Sequence, residues 1–225
     1  MVAILIGIVV ITFFIADIIN QSKIETLTEE HVVEIEDINS RNENFTDYFL
    51  QGSVTIDAAR EKREVGNLHF VLAFFWYNNA VINTNVWYNN EWINGTSNLV
   101  FRCIENCTDA MSKYITSYEN FSDSKPYFEL AKSFTERYKK GLDDYIQFAH
   151  AGQIVSMLRY NASNYLRQMA ENLSLGQFDN VSMLFDLFNE TNEMYEEAAD
   201  EYESLKDWID YFVFFSEVRE EEPPE

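Results

Sequence analysis

From Ile24 onward, apolar side chains recur at steps of three and four: Ile24, Leu27, His31, Ile35, Ile38, Asn42, Phe45, Phe49, Gly52, Ile56, Ala59, Arg63. Eight of these twelve positions are apolar, and the spacing is close to a 3.5-residue period. That pattern predicts a long amphipathic helix with one narrow seam. No proline falls within residues 1–64, and Gly52-Ser53 is the one weak point. With the apolar stretch before it, the helix is expected to run for some 60 residues, about 90 Å at 1.5 Å per residue. A helix of that length needs its seam covered, by other helices of the chain or by neighbouring copies.

Past residue 64 the pattern blurs. Phe70, Phe74, Phe75, Trp76, Tyr77, Trp87, Tyr88 and Trp92 crowd together among asparagines. Asn89-Asn90 and Asn94-Gly95 carry turn chemistry, so a short β-hairpin is expected near 82–101. Helical spacing then returns. Cys107 to Tyr118 forms a short segment. Pro126 is expected in the first turn of the next helix, with Ser124 as its cap. The stripe Tyr127, Ala131, Phe134, Tyr138, Leu142, Tyr145, Ala149 follows, and then Ile154, Leu158, Ala162, Tyr165, Met169, ending near Gly176. The last stripe is Val181, Leu184, Phe188, Tyr195, Ala198, Tyr202, Leu205, Ile209, Phe212. Its outer face carries Glu193, Glu196, Glu197, Asp200, Glu201, Glu203 and Asp207, the pattern of a solvated helix face.

Composition agrees with a mainly α chain. Glycine and proline together number 10 of 225 residues, too few for a turn-rich sandwich or barrel. The expected architecture is a long N-terminal helix, hydrophobic and then amphipathic, packed with an antiparallel helical bundle. The expected division is a hydrophobic segment at 1–19, a helical domain at 20–217 and an acidic tail at 218–225. The net charge of −22 argues against nucleic acid as a partner, since phosphate backbones call for clusters of Lys and Arg.

Charge and sequons also suggest where the chain works. Residues 1–19 (MVAILIGIVVITFFIADII) hold one charged side chain, Asp17, and are long enough to approach the thickness of a bilayer core. They read as a secretory signal, as a membrane anchor, or as the mature N-terminus of an exported subunit whose basic leader has been removed. A secretory signal lacks its basic n-region and its small-residue cleavage site here. N-x-S/T sequons begin at Asn20, Asn44, Asn94, Asn106, Asn120, Asn161, Asn172, Asn180 and Asn189. Random placement of this composition gives about two, so the set points to N-linked glycans on an extracellular, cell-surface protein. Cys103 and Cys107 are the only cysteines, and in an oxidising compartment a local disulfide between them is expected, at a turn or helix end.

Catalytic constellations are not found. The chain has no phosphate-binding G-x-x-x-x-G-K-[ST], no G-x-G-x-x-G, no H-E-x-x-H and no G-x-S-x-G, and His31, His69 and His150 are far apart in sequence. The expectation is a protein that is not an enzyme and uses no cofactor or metal.

The opening layout, Met1 to Ile19 followed by the stripe from Ile24 to Ala59, resembles type IV pilins, those of archaea in particular. Bacterial pilins usually carry a glutamate at the fifth mature position, where Leu5 stands here. The globular domains of archaeal filament proteins are usually β-rich, whereas this chain reads as helical. The resemblance implies a homo-polymer that passes through the membrane before assembly. Its filament core would be built from N-terminal helices, with Ile4, Ile8, Ile11, Phe14, Ile15 and Ile18 as assembly residues. The alternative is a single-pass anchored helical bundle serving as sensor, receptor or adhesin.

Overall fold

The computed structural model describes the backbone of residues 2–84 and 94–211 and the side chains of residues 31–82 and 98–210. Among the described residues there are four helices: α1 Val2–Thr84, α2 Asn94–Ser133, α3 Lys139–Ser174 and α4 Phe178–Tyr211. Side-chain pairs fix an up-down-up-down course. Tyr114 meets Asn67 while Asn106 meets His69, so α2 runs antiparallel to α1. Ser117 with Ser156 and Lys132 with Asp143 set α3 antiparallel to α2. Arg159 with Asn192 and Phe148 with Tyr202 do the same for α4 on α3.

Heptad spacing explains why these sequences close into a bundle. In α1 the larger inward residues Phe49, Ile56, Arg63, Phe70 and Tyr77 alternate with the small Gly52, Ala59, Gly66, Ala73 and Ala80, and all ten are buried. In α2 the series Val100, Cys107, Tyr114, Phe121, Phe128 alternates with Cys103, Ala110, Ser117, Ser124, Ala131, again all buried. Sustained steps of three and four favour near-parallel helix axes and knobs-into-holes packing. The α2 knobs fall on glycines. A Cβ placed on Gly52 would stand 2.7 Å from Phe128, on Gly66 2.9 Å from Tyr114, and on Gly152 2.5 Å from Phe121. Glycine lets these rings lie against the facing backbone.

Two apolar clusters stack along the axis. One holds Phe49, Ile56, Phe121, Phe128, Phe148 and Tyr202. The other holds Phe70, Tyr77, Cys103, Tyr114, Leu166 and Phe188. Between them, Arg63 lies 4.1 Å over the Tyr202 ring and donates to Tyr195 Oη at 3.2 Å. Arg159 lies 3.5 Å over the Tyr195 ring and donates to Asn192 Oδ1 at 2.8 Å. Such cation–π contacts are strongest where water is excluded. This belt joins α4 to α1, whose Cα atoms stay more than 8 Å from those of α4. Arg60 extends the same bridge with a two-pronged bond to Asp210 at 3.0 and 3.1 Å.

Several sequence expectations need correcting. At the hairpin expected near 82–101, both ends are helical, Ile82–Thr84 in α1 and Asn94–Phe101 in α2; residues 85–93 lie outside those described. Pro126 does not open a helix: it sits inside α2, while Ser124 Oγ donates back to Phe121 O. The break falls instead at 134–138, which contains neither glycine nor proline. There Phe134 N–H and Thr135 N–H turn to carbonyls three residues back, and Thr135 Oγ1 accepts from Tyr138 N–H. Gly141 and Gly152 are buried within α3 and break nothing.

The buried tyrosines give this core an alkaline limit. Burial pushes Tyr77 and Tyr145 up to about 12 and raises Tyr114 and Tyr202 as well. Their folded-state values exceed the ordinary value of about 10, so their contribution is complete below pH 10 and is lost as pH rises through the folded-state values, about 12 for Tyr77 and Tyr145. A spectrophotometric titration at 295 nm is expected to show these tyrosines ionising together with loss of helical circular dichroism. Full ionisation with the helices intact would contradict it.

Candidate functional site

The seam of α1 divides at residue 44. From Phe45 it turns into the bundle: Phe45 stacks on Tyr138, and Phe49, Gly52, Ile56, Ala59 and Arg63 are buried. Residues 31–43 are all exposed, forming a stalk of about 20 Å on the side of α1 away from the α3–α4 turn. The stripe does not end where the bundle does. Ile35 and Ile38 stay in its register and are 57% and 50% exposed; His31 and Asn42 continue it.

A helical projection at 100° per residue sets His31, Ile35, Ile38 and Asn42 within about 60° of one another, with Val32 at their edge. The remaining arc is mostly polar, with Glu34, Glu36, Asp37, Asn39, Ser40, Arg41 and Glu43 and the lone exposed apolar Val33, and Glu34 stands 3.6 Å from His31. The residue sizes also change at the boundary. Within the bundle one of the two seam registers is small, Gly52, Ala59, Gly66, which admits α2 closely. On the stalk that register carries Ile38 and, at the mouth of the bundle, Phe45. In coiled coils generally, large β-branched residues in both registers favour self-associating parallel helices, and a single polar residue on the seam fixes their alignment.

The assembly residues expected from the sequence, Ile4, Ile8, Ile11, Phe14, Ile15 and Ile18, belong to α1, but their side chains lie outside those described, as does Asn20. Among the described residues, no helix is long and apolar enough to cross a membrane. Every sequon asparagine expected to carry a glycan lies in a helix. Asn44 is in α1, and Asn94, Asn106 and Asn120 are in α2. Asn161 and Asn172 are in α3, and Asn180 and Asn189 in α4.

The cysteines depart from expectation. Cys103 and Cys107 are free thiols, fully buried, with sulfurs 4.0 Å apart on an unbroken stretch of α2. A disulfide needs sulfurs about 2 Å apart with converging Cβ atoms. Neighbouring positions on one regular helix do not supply that, and the turn that could have done so is absent. The two thiols pack against the distal apolar cluster and share a weak hydrogen bond, which with burial raises Cys107 strongly. That environment is inert for thiolate chemistry.

The buried arginine belt was only half visible from the sequence. Arg63 sits on the α1 seam, whereas Arg159 stands outside the α3 stripe read from the pattern. Both keep a buried Nε without a hydrogen-bond partner, and both have exposed carboxylates nearby, Glu203 at 3.7 Å and Glu196 at 3.9 Å. Among the described residues no three His, Cys, Asp or Glu side chains gather as metal ligands would. Compared with known proteins, the chain matches no family model, no curated sequence and no solved structure.

Proposed function

We propose that this chain is a structural, pilin-like subunit of an extracellular, N-glycosylated surface filament, assembled through its N-terminal helix. One observation carries the reading: the apolar seam that is buried in the bundle continues, uncovered, along the stalk at 31–43 and points back to the apolar segment 1–19. Among the described residues the stalk stripe has nothing against it. A second copy in parallel register supplies the same stripe at the same height, with Asn42 opposite Asn42. Packing between the apolar segments then continues the contact by close van der Waals fit, as between membrane helices.

Charge supports the outward arrangement. The net charge of −22 is displayed on helix faces such as Glu193, Glu197, Asp200, Glu201 and Asp207 of α4, all exposed. Like-charged bundles repel one another laterally, which keeps them in water and leaves the apolar rods as the contact between copies.

Shearing native cells and imaging the medium by negative stain tests the reading. Filaments that contain this chain are the expected result. Recovery of single chains only from detergent-solubilised membranes would overturn it in favour of an anchored helical bundle acting as sensor, receptor or adhesin.

A further inference from the structure

The nine sequons share the N-x-S/T pattern but are not held alike in the structure. A glycosyl transferase has to engage the asparagine amide and the hydroxyl two residues on at the same time. On a helix, residues i and i+2 are turned about 200° apart, so a helical sequon has to open locally before it can be accepted. The cost of opening depends on what the segment anchors.

Most of the sequons are anchored firmly. Asn161 is followed by Ala162 and Ser163, both fully buried, and Ser163 Oγ is spent on Arg159 O at 2.8 Å. Thr191, the hydroxyl partner of Asn189, is buried and donates to Leu187 O. Asn120 precedes the core ring Phe121, Asn106 precedes the buried Cys107, and Asn172 precedes the buried Leu173. Asn44 has no buried neighbour in its sequon, but it lies well inside the 83-residue α1, where opening breaks hydrogen bonds on both sides.

Asn180 is different. It is the third residue of α4, exposed, with Phe178, Asp179 and Ser182 exposed and Val181 only partly covered. The first buried residue of α4 is Leu184. Opening this sequon frays one helix end and disturbs only the rim of the distal cluster, where the partly buried Val181 packs. The preceding turn ends α3 with Gly176 in the left-handed region (φ 69°), Gln177 N–H reaching Asn172 O and Gly176 N–H reaching Leu173 O. This turn and the start of α4, Gly176 to Asn180, line an open hollow of about 340 Å³. The Asn180 amide nitrogen donates to Asn172 Oδ1 at 3.0 Å and Gln177 Oε1 at 3.1 Å, both on the surface.

We propose that, among the sequons whose side chains are described, Asn180 is the glycan acceptor of the folded chain, at the end of the bundle opposite the stalk, and that the sequons buried in helix interiors are modified before folding or stay bare. This rests on the exported reading above. The donor is a lipid-linked sugar pyrophosphate. The sugar C1–Nδ2 bond forms as the C1–O bond breaks. The lipid pyrophosphate leaves with the electron pair, and the amide gives one proton to a base of the transferase. Nδ2 keeps one hydrogen and so one of its two present bonds.

The test uses purified, unglycosylated full chain with an oligosaccharyltransferase and its lipid-linked donor, and a proteolytic digest of the same chain as the unfolded reference. Glycopeptide mass spectrometry reads each sequon. In the intact chain, occupancy at Asn180 is expected to exceed that at Asn120, Asn161 and Asn189 by about tenfold or more, a difference that closes in the digest. Ser182→Ala is expected to abolish the Asn180 product in both. Equal occupancy in the intact chain, or an unmodified Asn180 in either sample, would overturn the assignment. The readout does not depend on filament formation, so either proposal can fail while the other stands.

Discussion

Phe121→Ala is expected to lower the unfolding free energy by about 3–5 kcal/mol, a large share of the roughly 5–15 kcal/mol typical of a folded domain. Phe121 is fully buried, meets Phe148 and Tyr202 edge-on at 5.9 and 6.2 Å, and lies against the backbone of Gly152. Truncation therefore opens a cavity at the crossing of α2, α3 and α4, where three helices have no small adjustment to offer. The glycine beneath the ring makes the prediction specific. Gly152→Ala gains about 1 kcal/mol of helix propensity but drives a methyl to 2.5 Å from Phe121, an overpacking cost of about 1–3 kcal/mol. Alone it is expected to destabilise. In the Phe121→Ala background the clash is gone, and the same substitution is expected to stabilise by about 1 kcal/mol. Urea denaturation followed by circular dichroism reads all four corners of the cycle. A Gly152→Ala effect of the same sign in both backgrounds would show that the ring does not seat on the glycine.

That socket also shows what the sequence made legible. The α1 seam was readable because large apolar residues recur in it, and Phe45 to Arg63 do face the bundle. The seam of α2 was not, because half of its inward positions are Cys103, Ala110, Ser117, Ser124 and Ala131. Small and hydroxylated residues carry no hydrophobic signal, although here they are the holes that accept large partners. A search for a strict seven-residue recurrence of aromatic and small residues would have found both series, and would have carried α2 through Pro126. The break at 134–138 was invisible for the opposite reason: Phe134, Thr135, Glu136, Arg137 and Tyr138 are ordinary helix-compatible residues, and what accompanies the turn is long-range, Tyr138 stacking on Phe45 and Phe134 on Tyr48 of α1. The cysteine pair was misread because its spacing suits a disulfide only off a regular helix. On the stalk the pattern was plain, but that the bundle leaves it bare depends on where α2 ends and α3 begins, which no local pattern records.

Replacing Ile35 and Ile38 together by glutamate is expected to abolish self-association while leaving the bundle as stable as before. Both side chains are half exposed or more and no other helix among the described residues covers them, so the described bundle loses no contact through the change. In a parallel assembly each isoleucine is removed from water, worth about 1.5–3 kcal/mol, or about a tenfold to hundredfold change in association per side chain. Glutamate adds repulsion, since each new carboxylate would face its own copy beside Glu34 and Glu36 in a chain already at −22. Leu50→Glu with Val54→Glu is the matched control. Those residues are 49% and 67% exposed on the outer face of α1 beside the bundle, off the seam register. The control adds the same charge to the same helix and is expected to assemble normally. Analytical ultracentrifugation or light scattering measures association, and thermal unfolding checks the fold. If the stalk variant associates as readily as the control, the uncovered stripe is a solvated rod and the assembly reading falls. If only the stalk variant loses association, with both unfolding at the same temperature, the contact between copies lies on the stretch of seam that the bundle leaves open.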